Sequence, residues 1–380
     1  MKLKDARVLM ASSVHRWNDV RIYYKEALTL AKVTNVRLLA VQNYSASQVP
    51  HRKIETEFLP GNGLTRGGPN SMLSLRLRRI AAVLRTALAE KFDVFHFHDP
   101  ELIPVGWLVK LRGKRVIYDM HEDVSTMLFS REWLPRPLAR LIGSVLRAGE
   151  RLSLHIFDYF ILAAKNLAPS FKTEKCVQIL NYPIANTMPR SQGRKQDEPL
   201  RLVYAGDITV ARGIPDILTA ISDLQRAGQK ITLDLFGPVS EPEMGRVLGT
   251  LTTQPWIKCH GWIPLPQLMN ELPGYHIGMS PLRDFPNYRN AVPTKVLDYL
   301  AAGLPVVASG LPGTRKLLEK YDCALLYEPG DVAKLQAALL ELQDERKRRL
   351  LAKNGGKFVA AYSWETQAQK LVGIYQELLQ

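Results

Sequence analysis

Lys295 and Asp298 stand three residues apart in the stretch from Thr294 to Ala302, where Val296, Leu297 and Leu300 recur at helical spacing and Gly303 ends the pattern. Lys295 falls in the first turn, where free N–H groups and the partial positive charge of a helix start attract an anion. A cation for phosphate and a carboxylate for sugar hydroxyls would together hold a nucleotide-sugar, although such a pair taken alone also describes a solvated helix face. Three clusters of histidine and acid occupy the first half, each behind an apolar run: His15 to Ile22, His96 to Leu102, and Tyr118 to Asp123. In open parallel sheets such strand ends meet ligand. In the first cluster His15 and Asp19 suit the acceptor side of a site, yet Asp19 or Arg21 caps the next helix as readily as it touches substrate. His98, Asp99 and Glu101 suit an acceptor pocket, with Glu122 beside it. His96-Phe97-His98 offers two metal ligands, but sequence fixes no third, and no metal is expected.

The elements that must position these residues alternate. Apolar runs at Arg7 to Ala11, Val36 to Val41, Phe92 to Phe97, Arg115 to Tyr118 and Phe157 to Ala163 read as strands, with a helix from Val20 to Ala31 and others between them. A second series reads as strands at Arg201 to Ala205, Ile231 to Phe236, Trp256 to His260, Ile277 to Ser280, Val306 to Ser309 and Ala324 to Tyr327. Alternation of this kind implies α/β architecture, with parallel sheets covered on both faces. The polar, proline-containing stretch 186–199 separates residues 1–185 from residues 200–364 and reads as a linker.

At 380 residues and 46% apolar content the chain is long enough for two full cores. No apolar run reaches the roughly 18 residues of a membrane span, and the first residues are too weakly apolar for a leader, so a cytoplasmic protein is expected. Cys176, Cys259 and Cys323 are widely spaced and expected as small core residues. The net charge of +15 favours an anionic partner. Its distribution points to a lipid surface rather than nucleic acid. In helix 71–88, Leu73, Leu77, Ile80, Leu84 and Leu88 form one face with Arg76, Arg78, Arg79 and Arg85 off it; in helix 136–151, Arg136, Arg140, Arg147 and Arg151 form a stripe opposite Leu138, Leu141, Ile142 and Val145. Two basic amphipathic helices are expected to meet anionic headgroups through their arginines. The dinucleotide fingerprint, the Walker sequence and any Asp-x-Asp are missing, which disfavours a dehydrogenase, an NTPase and a metal-dependent sugar transferase. Gly61, Gly63 and Gly67 read as a loop.

Around Asp298 the run Tyr299, Leu300, Ala301, Ala302, Gly303, Leu304, Pro305 and Val306 resembles the donor-site signature of the retaining glycosyltransferases of family four, and the resemblance extends from the first strand to Ser363-Trp364-Glu365. It implies the GT-B fold, two Rossmann-like doubly wound domains facing a cleft: an N-terminal acceptor-side domain completed by the last helix, 365–380, and a C-terminal nucleotide-sugar-binding domain. It implies hexose transfer from a nucleoside diphosphate sugar to a hydroxyl of a saccharide or lipid-linked acceptor at the inner membrane face, with no cofactor. By this resemblance Asp298 holds the ribose, His121 faces the donor sugar, and Arg212 and Lys295 contact the diphosphate. Thr294 opens the donor helix, and Gly237, Gly261 and Trp262 line the base. The signature's first acid falls on Asn290, which offers a hydroxyl a hydrogen bond but no charge, and a further expected cation falls on Asp207. Those departures keep two rivals in view, a catalytically weak scaffold or binding subunit and a sugar-nucleotide epimerase.

Overall fold

The computed structural model describes residues 2–42, 51–60, 69–121, 136–164, 167, 171, 173–185, 198–290 and 292–380; the side chains of residues 69–72, 136, 138, 139 and 287 lie outside that description. Two compact units form, residues 1–181 with 365–380, and residues 182–364.

The first unit is built on seven strands, β1 (Arg7–Arg16), β2 (Asn35–Val41), β3 (Ile54–Leu59), β4 (Val94–Phe97), β5 (Arg115–Met120), β6 (Tyr159–Leu162) and β7 (Cys176–Gln178), in the order β3-β2-β1-β4-β5-β6-β7. Every pairing is parallel. Its central strands are buried on both faces, as covered parallel sheets require. Alternation sorts β4 between those faces. Phe95 and Phe97 join Val105, Val109, Tyr118 and Phe157 in an aromatic core on one side. His96 points to the other, where its Nδ1 lies 2.9 Å from the Tyr375 hydroxyl of the Trp364–Leu378 helix.

The second unit carries β8 (Leu200–Ala205), β9 (Ile231–Phe236), β10 (Ile257–Gly261), β11 (Ile277–Ser280), β12 (Val306–Ser309) and β13 (Ala324–Tyr327), ordered β10-β9-β8-β11-β12-β13 and again all parallel. In both sheets the order reverses beside the first strand, so the ends of β1 and β4, and of β8 and β11, flank the crevice where doubly wound sheets bind ligands.

Several expectations need correction. Strands β3 and β7 were not foreseen, and β1 runs on to Arg16. The helix after Asp19 begins as a π-helix, Val20–Ala27, before one α-helical turn, Leu28–Leu30. The apolar stripe of the Pro69–Ala89 helix is split, Ile80 and Leu84 packing on the core while Leu73 and Leu77 are exposed, and in the Arg136–Ile156 helix Leu141 and Val145 are exposed; Arg79, read as lying off the apolar face, is buried and donates to the carbonyls of Pro60 and Ser13. Of the cysteines only Cys323 is buried; Cys259 is exposed. Residues 186–197 of the expected linker, the Gly61 to Gly67 loop, Glu122 and Asp123 lie outside the described residues.

Candidate functional site

The second unit gathers two basic side chains and a helix N-terminus at the ends of β8 and β11. Lys295 is the second residue of the Thr294–Ala301 helix, and its side chain runs back under the end of β8, where Nζ sits 3.6 Å from the centroid of the Tyr204 ring. The amine is buried and makes no hydrogen bond. Burial, and then the nearby Arg212 guanidinium, push it well below the usual lysine range, with Asp207 opposing them. Gly206 (φ +136°) makes room: a Cβ there would lie 2.9 Å from Nζ. Arg212 is half-buried, 3.9 Å from Asp207 and over the Tyr288 ring at 5.7 Å. It is held in place through Gly213 (φ +73°), where a Cβ would fall 1.7 Å from the Pro281 carbonyl oxygen. Ala205 N–H donates to the Tyr299 hydroxyl across 2.7 Å, tying the end of β8 to the helix that carries Lys295. Asp298 is half-buried on that helix; Thr294 and Asn290 are exposed beside it in sequence, and Trp262 is exposed after β10. Gly237 and Gly261 are bonded through backbone, N–H to carbonyl at 2.7 Å, and His260 stacks on Phe236 with ring centroids 4.3 Å apart. A buried amine with no hydrogen-bond partner, beside the Arg212 guanidinium and a helix N-terminus, is an arrangement that favours an anion.

In the first unit the three acid-and-histidine clusters meet at the ends of β1, β4 and β5. Asp99 is buried and receives four donors on Oδ2, from the hydroxyls of Ser12 and Ser13 and the amides of Ser13 and Val14. It locks the end of β1. Glu101 lies 3.2 Å from the Ser13 hydroxyl, and burial raises its carboxyl. Asp19 caps the π-helix by accepting from the amides of Arg21 and Ile22. Its other oxygen stands 3.4 Å from His15. Burial works against the charged form of His15, but Asp19, Asp99 and Asp119 outweigh it and raise its pKa to about 9. His121, half-buried, is 3.2 Å from Asp119 and 3.3 Å from His98 Nδ1, and its ring lies 5.1 Å from that of His15.

Behind His121 lies a network that the sequence did not announce. Arg21 grips both oxygens of Asp119 at 2.9 and 3.0 Å and reaches Glu26 at 2.9 Å. Asp119 is held well below the carboxylate range: burial opposes ionisation, but Arg21 and His121 prevail. For Glu26 burial wins, and its carboxyl rises well above that range. Burial also lowers His96 and His98. Arg21 and Glu26 are five residues apart, a spacing that an α-helix separates and that i→i+5 bonding brings together. Glu26, His96, His98 and Asp119 offer ligand atoms within 4.8 Å of one another. Arg21 already supplies the positive charge these carboxylates need, and a divalent ion would sit against its guanidinium.

Residues 26–166 match the model described as a glycosyl transferase 4-like domain, and residues 199–345 that of the glycosyl transferases group 1. No curated protein matches the sequence. Among solved structures, sucrose-phosphate synthase from Thermosynechococcus elongatus is similar at 19% identity, over 98% of this chain and 99% of that one, with a TM-score of 0.72. HepE of Anabaena in complex with UDP and glucose aligns at 16% identity over 96% and 98% of the two chains, with a TM-score of 0.65. The lipopolysaccharide outer core galactosyltransferase WaaB aligns at 11% over 97% and 99%, with a TM-score of 0.59. At such identities the likeness speaks for the fold, the GT-B pair of Rossmann-like domains.

Proposed function

We propose, from the premise that this chain belongs to the glycosyl transferases group 1, that it is a retaining, metal-independent transferase of the family-four kind. It moves a hexose from a nucleoside diphosphate sugar to a hydroxyl of a saccharide or lipid-linked acceptor at the cytoplasmic face of a membrane. The observation that carries the reading is Lys295: buried, without a hydrogen-bond partner, at a helix N-terminus and beside Arg212. A diphosphate supplies the negative charge that this pocket lacks, and its departure from the sugar is the step that fixed positive charge accelerates most. UDP is the first candidate, since HepE was solved with it.

In this mechanism the bond from the anomeric carbon to the diphosphate oxygen breaks and a bond to the acceptor oxygen forms on the same face. The acceptor proton passes to an oxygen of the leaving phosphate. Lys295, Arg212 and the amides of the Thr294–Ala301 helix stabilise the diphosphate, and no protein nucleophile is required. Asp298 is assigned to the ribose, Gly237, Gly261 and Trp262 to the base, and Asn290 and His121 to the sugar. His15, Asp19, His98, Asp99 and Glu101 remain acceptor-side candidates, of which Asp99 serves mainly by shaping the end of β1.

The test is release of nucleotide from a panel of UDP-, GDP-, ADP- and CMP-sugars, with and without chelator. One nucleotide is expected to dominate, chelator to change nothing, and Lys295→Ala to lower the rate by on the order of 100-fold, the cost of one preorganised electrostatic contact. One arrangement favours a second reading, a binding subunit. Asp207 stands exposed 3.9 Å from Arg212, where the resemblance places a cation, and Asn290 replaces an acid. Nucleotide binding with no turnover of any sugar would establish that reading instead.

A further inference from the structure

Three neighbouring helices of the first unit carry outward what a helix on a soluble surface turns inward. On the Arg136–Ile156 helix, Leu141, Val145 and Leu152 are 62, 63 and 52% exposed. With Ala148 they follow the spacing i, i+4, i+7, i+11, one unbroken apolar stripe along the outer side. Arg140, Arg147 and Arg151, all exposed, run beside it as a parallel basic stripe. The side turned inward carries buried Gly143, Glu150 and Ser153, with Glu150 accepting from the Tyr118 hydroxyl, and Leu154 and Ile156 pack on the core near its end. On the Pro69–Ala89 helix Leu73 and Leu77 are 60 and 58% exposed, flanked by exposed Arg78 and Arg85. The Ile103–Leu111 helix packs between these two and ends on Leu111, 84% exposed. Among the described residues of the three helices the single acid is Glu150, which is buried, so no exposed carboxylate interrupts the face.

We infer that this face rests on an anionic lipid bilayer, its helices in the plane of the interface, the Leu141-Val145-Leu152 stripe entering the acyl boundary and the arginines on headgroup phosphates. The inference takes its purpose from the proposed transfer to a lipid-linked acceptor and rests on that reading there, but it shares no residue with either candidate site. To the contact expected from sequence, arginines on anionic headgroups, it adds an exposed apolar stripe that enters the bilayer. Two copies of the chain meeting through this face would set arginine stripes against each other with no carboxylate between them, whereas a bilayer offers both the apolar layer and the opposite charge. Raising salt to 1 M shortens screening to about 3 Å and removes the arginine contribution, while the apolar contribution persists.

The experiment is co-sedimentation of the full chain with vesicles of phosphatidylcholine, alone or mixed with phosphatidylglycerol, at low salt and at 1 M salt. Two triple variants accompany the wild type, Leu141→Ser/Val145→Ser/Leu152→Ser and Arg140→Gln/Arg147→Gln/Arg151→Gln. All six positions are exposed, and the melting transition and its response to UDP serve as the folding control. The mixed vesicles are expected to bind the wild type and to keep part of it at 1 M salt. The arginine variant is expected to weaken binding at low salt only. The apolar variant is expected to weaken it on the order of tenfold or more in both and to abolish the salt-resistant fraction. No binding to mixed vesicles, binding that the apolar variant leaves unchanged, or a dimer in light scattering that the apolar variant dissociates, overturns the inference. Sugar turnover without vesicle binding sinks the docking alone; vesicle binding without turnover sinks the transfer alone.

Discussion

Replacing Lys295 by methionine separates the cost of its amine from its use. The two side chains are similar in length, so the methionine keeps the contact with the Tyr204 ring while deleting a buried amine that has no hydrogen-bond partner. Such an orphan costs about 1–3 kcal/mol. In a unit of residues 182–364 each kcal/mol moves the melting temperature by about 2–4 °C, so Lys295→Met is expected to raise the melting point of the ligand-free protein by on the order of 5 °C. With nucleotide the sign reverses. Loss of one charged contact to a diphosphate costs about 1.5–3 kcal/mol, roughly 10- to 150-fold in affinity. A UDP concentration that stabilises the wild type by about 2.7 kcal/mol would then stabilise a hundredfold weaker variant by about 0.4. Differential scanning fluorimetry with and without UDP reads both effects. pH adds a check on sign. The native amine lies well below its ordinary value, through burial first and Arg212 second, so between that lowered pKa and about 10.4 the unfolded chain holds the extra proton. Stability of the ligand-free wild type therefore rises with pH across that window, and the methionine variant lacks the rise. A variant less stable than the wild type without nucleotide, or one with an undiminished UDP shift, would refute the reasoning.

Gly213→Ala is expected to cost at least about 3 kcal/mol or to prevent folding of the second unit, because its Cβ would meet the Pro281 carbonyl oxygen at 1.7 Å on a backbone with φ +73°; Gly249→Ala, in the Pro242–Leu251 helix with nothing within 4 Å, should instead gain about 0.5–1 kcal/mol in urea unfolding. The pKa of about 9 for His15 lies above its unfolded value near 6.5, so its pairing stabilises fully below pH 6.5 and ceases to as pH rises through about 9. The stability gap between wild type and His15→Gln should close over that interval, and a gap that widens with pH would contradict the assignment. Chemical denaturation across the pH range gives the answer.

All six strands of the second sheet were legible in sequence, most of them as short apolar runs bounded by turn residues, as in Val306 to Ser309, which is buried on both faces. The first sheet hid two. Strand β3, Ile54–Leu59, interleaves Glu55 and Glu57 with apolar residues at a sheet edge, and β7, Cys176–Gln178, is only three residues long. The outward stripes of the basic helices were visible as stripes, but spacing carries no direction. Neighbours set that, and here Arg79 and Glu150 share the inner places with Ile80, Val83 and Leu84 while Leu73, Leu77, Leu141 and Val145 face out. The position of Lys295 in a first turn followed from the spacing of Val296, Leu297 and Leu300 and the stop at Gly303; its burial over Tyr204 did not, because that ring comes from a strand far away in the chain. The Arg21–Glu26–Asp119 network stayed hidden because a 3.6-residue period places Arg21 and Glu26 on different faces, and the π-helix that unites them leaves no mark in composition.

The most direct test of the central claim is proton NMR of the reaction with an α-linked UDP-sugar and a hydroxyl acceptor in the presence of chelator, following the anomeric signals of donor and product. The expected result is loss of the donor signal, equimolar UDP and a product with the α anomeric coupling, all suppressed by Lys295→Met. A β-linked product, a requirement for added metal, or turnover undiminished in that variant would contradict a retaining transfer driven by the Lys295 pocket.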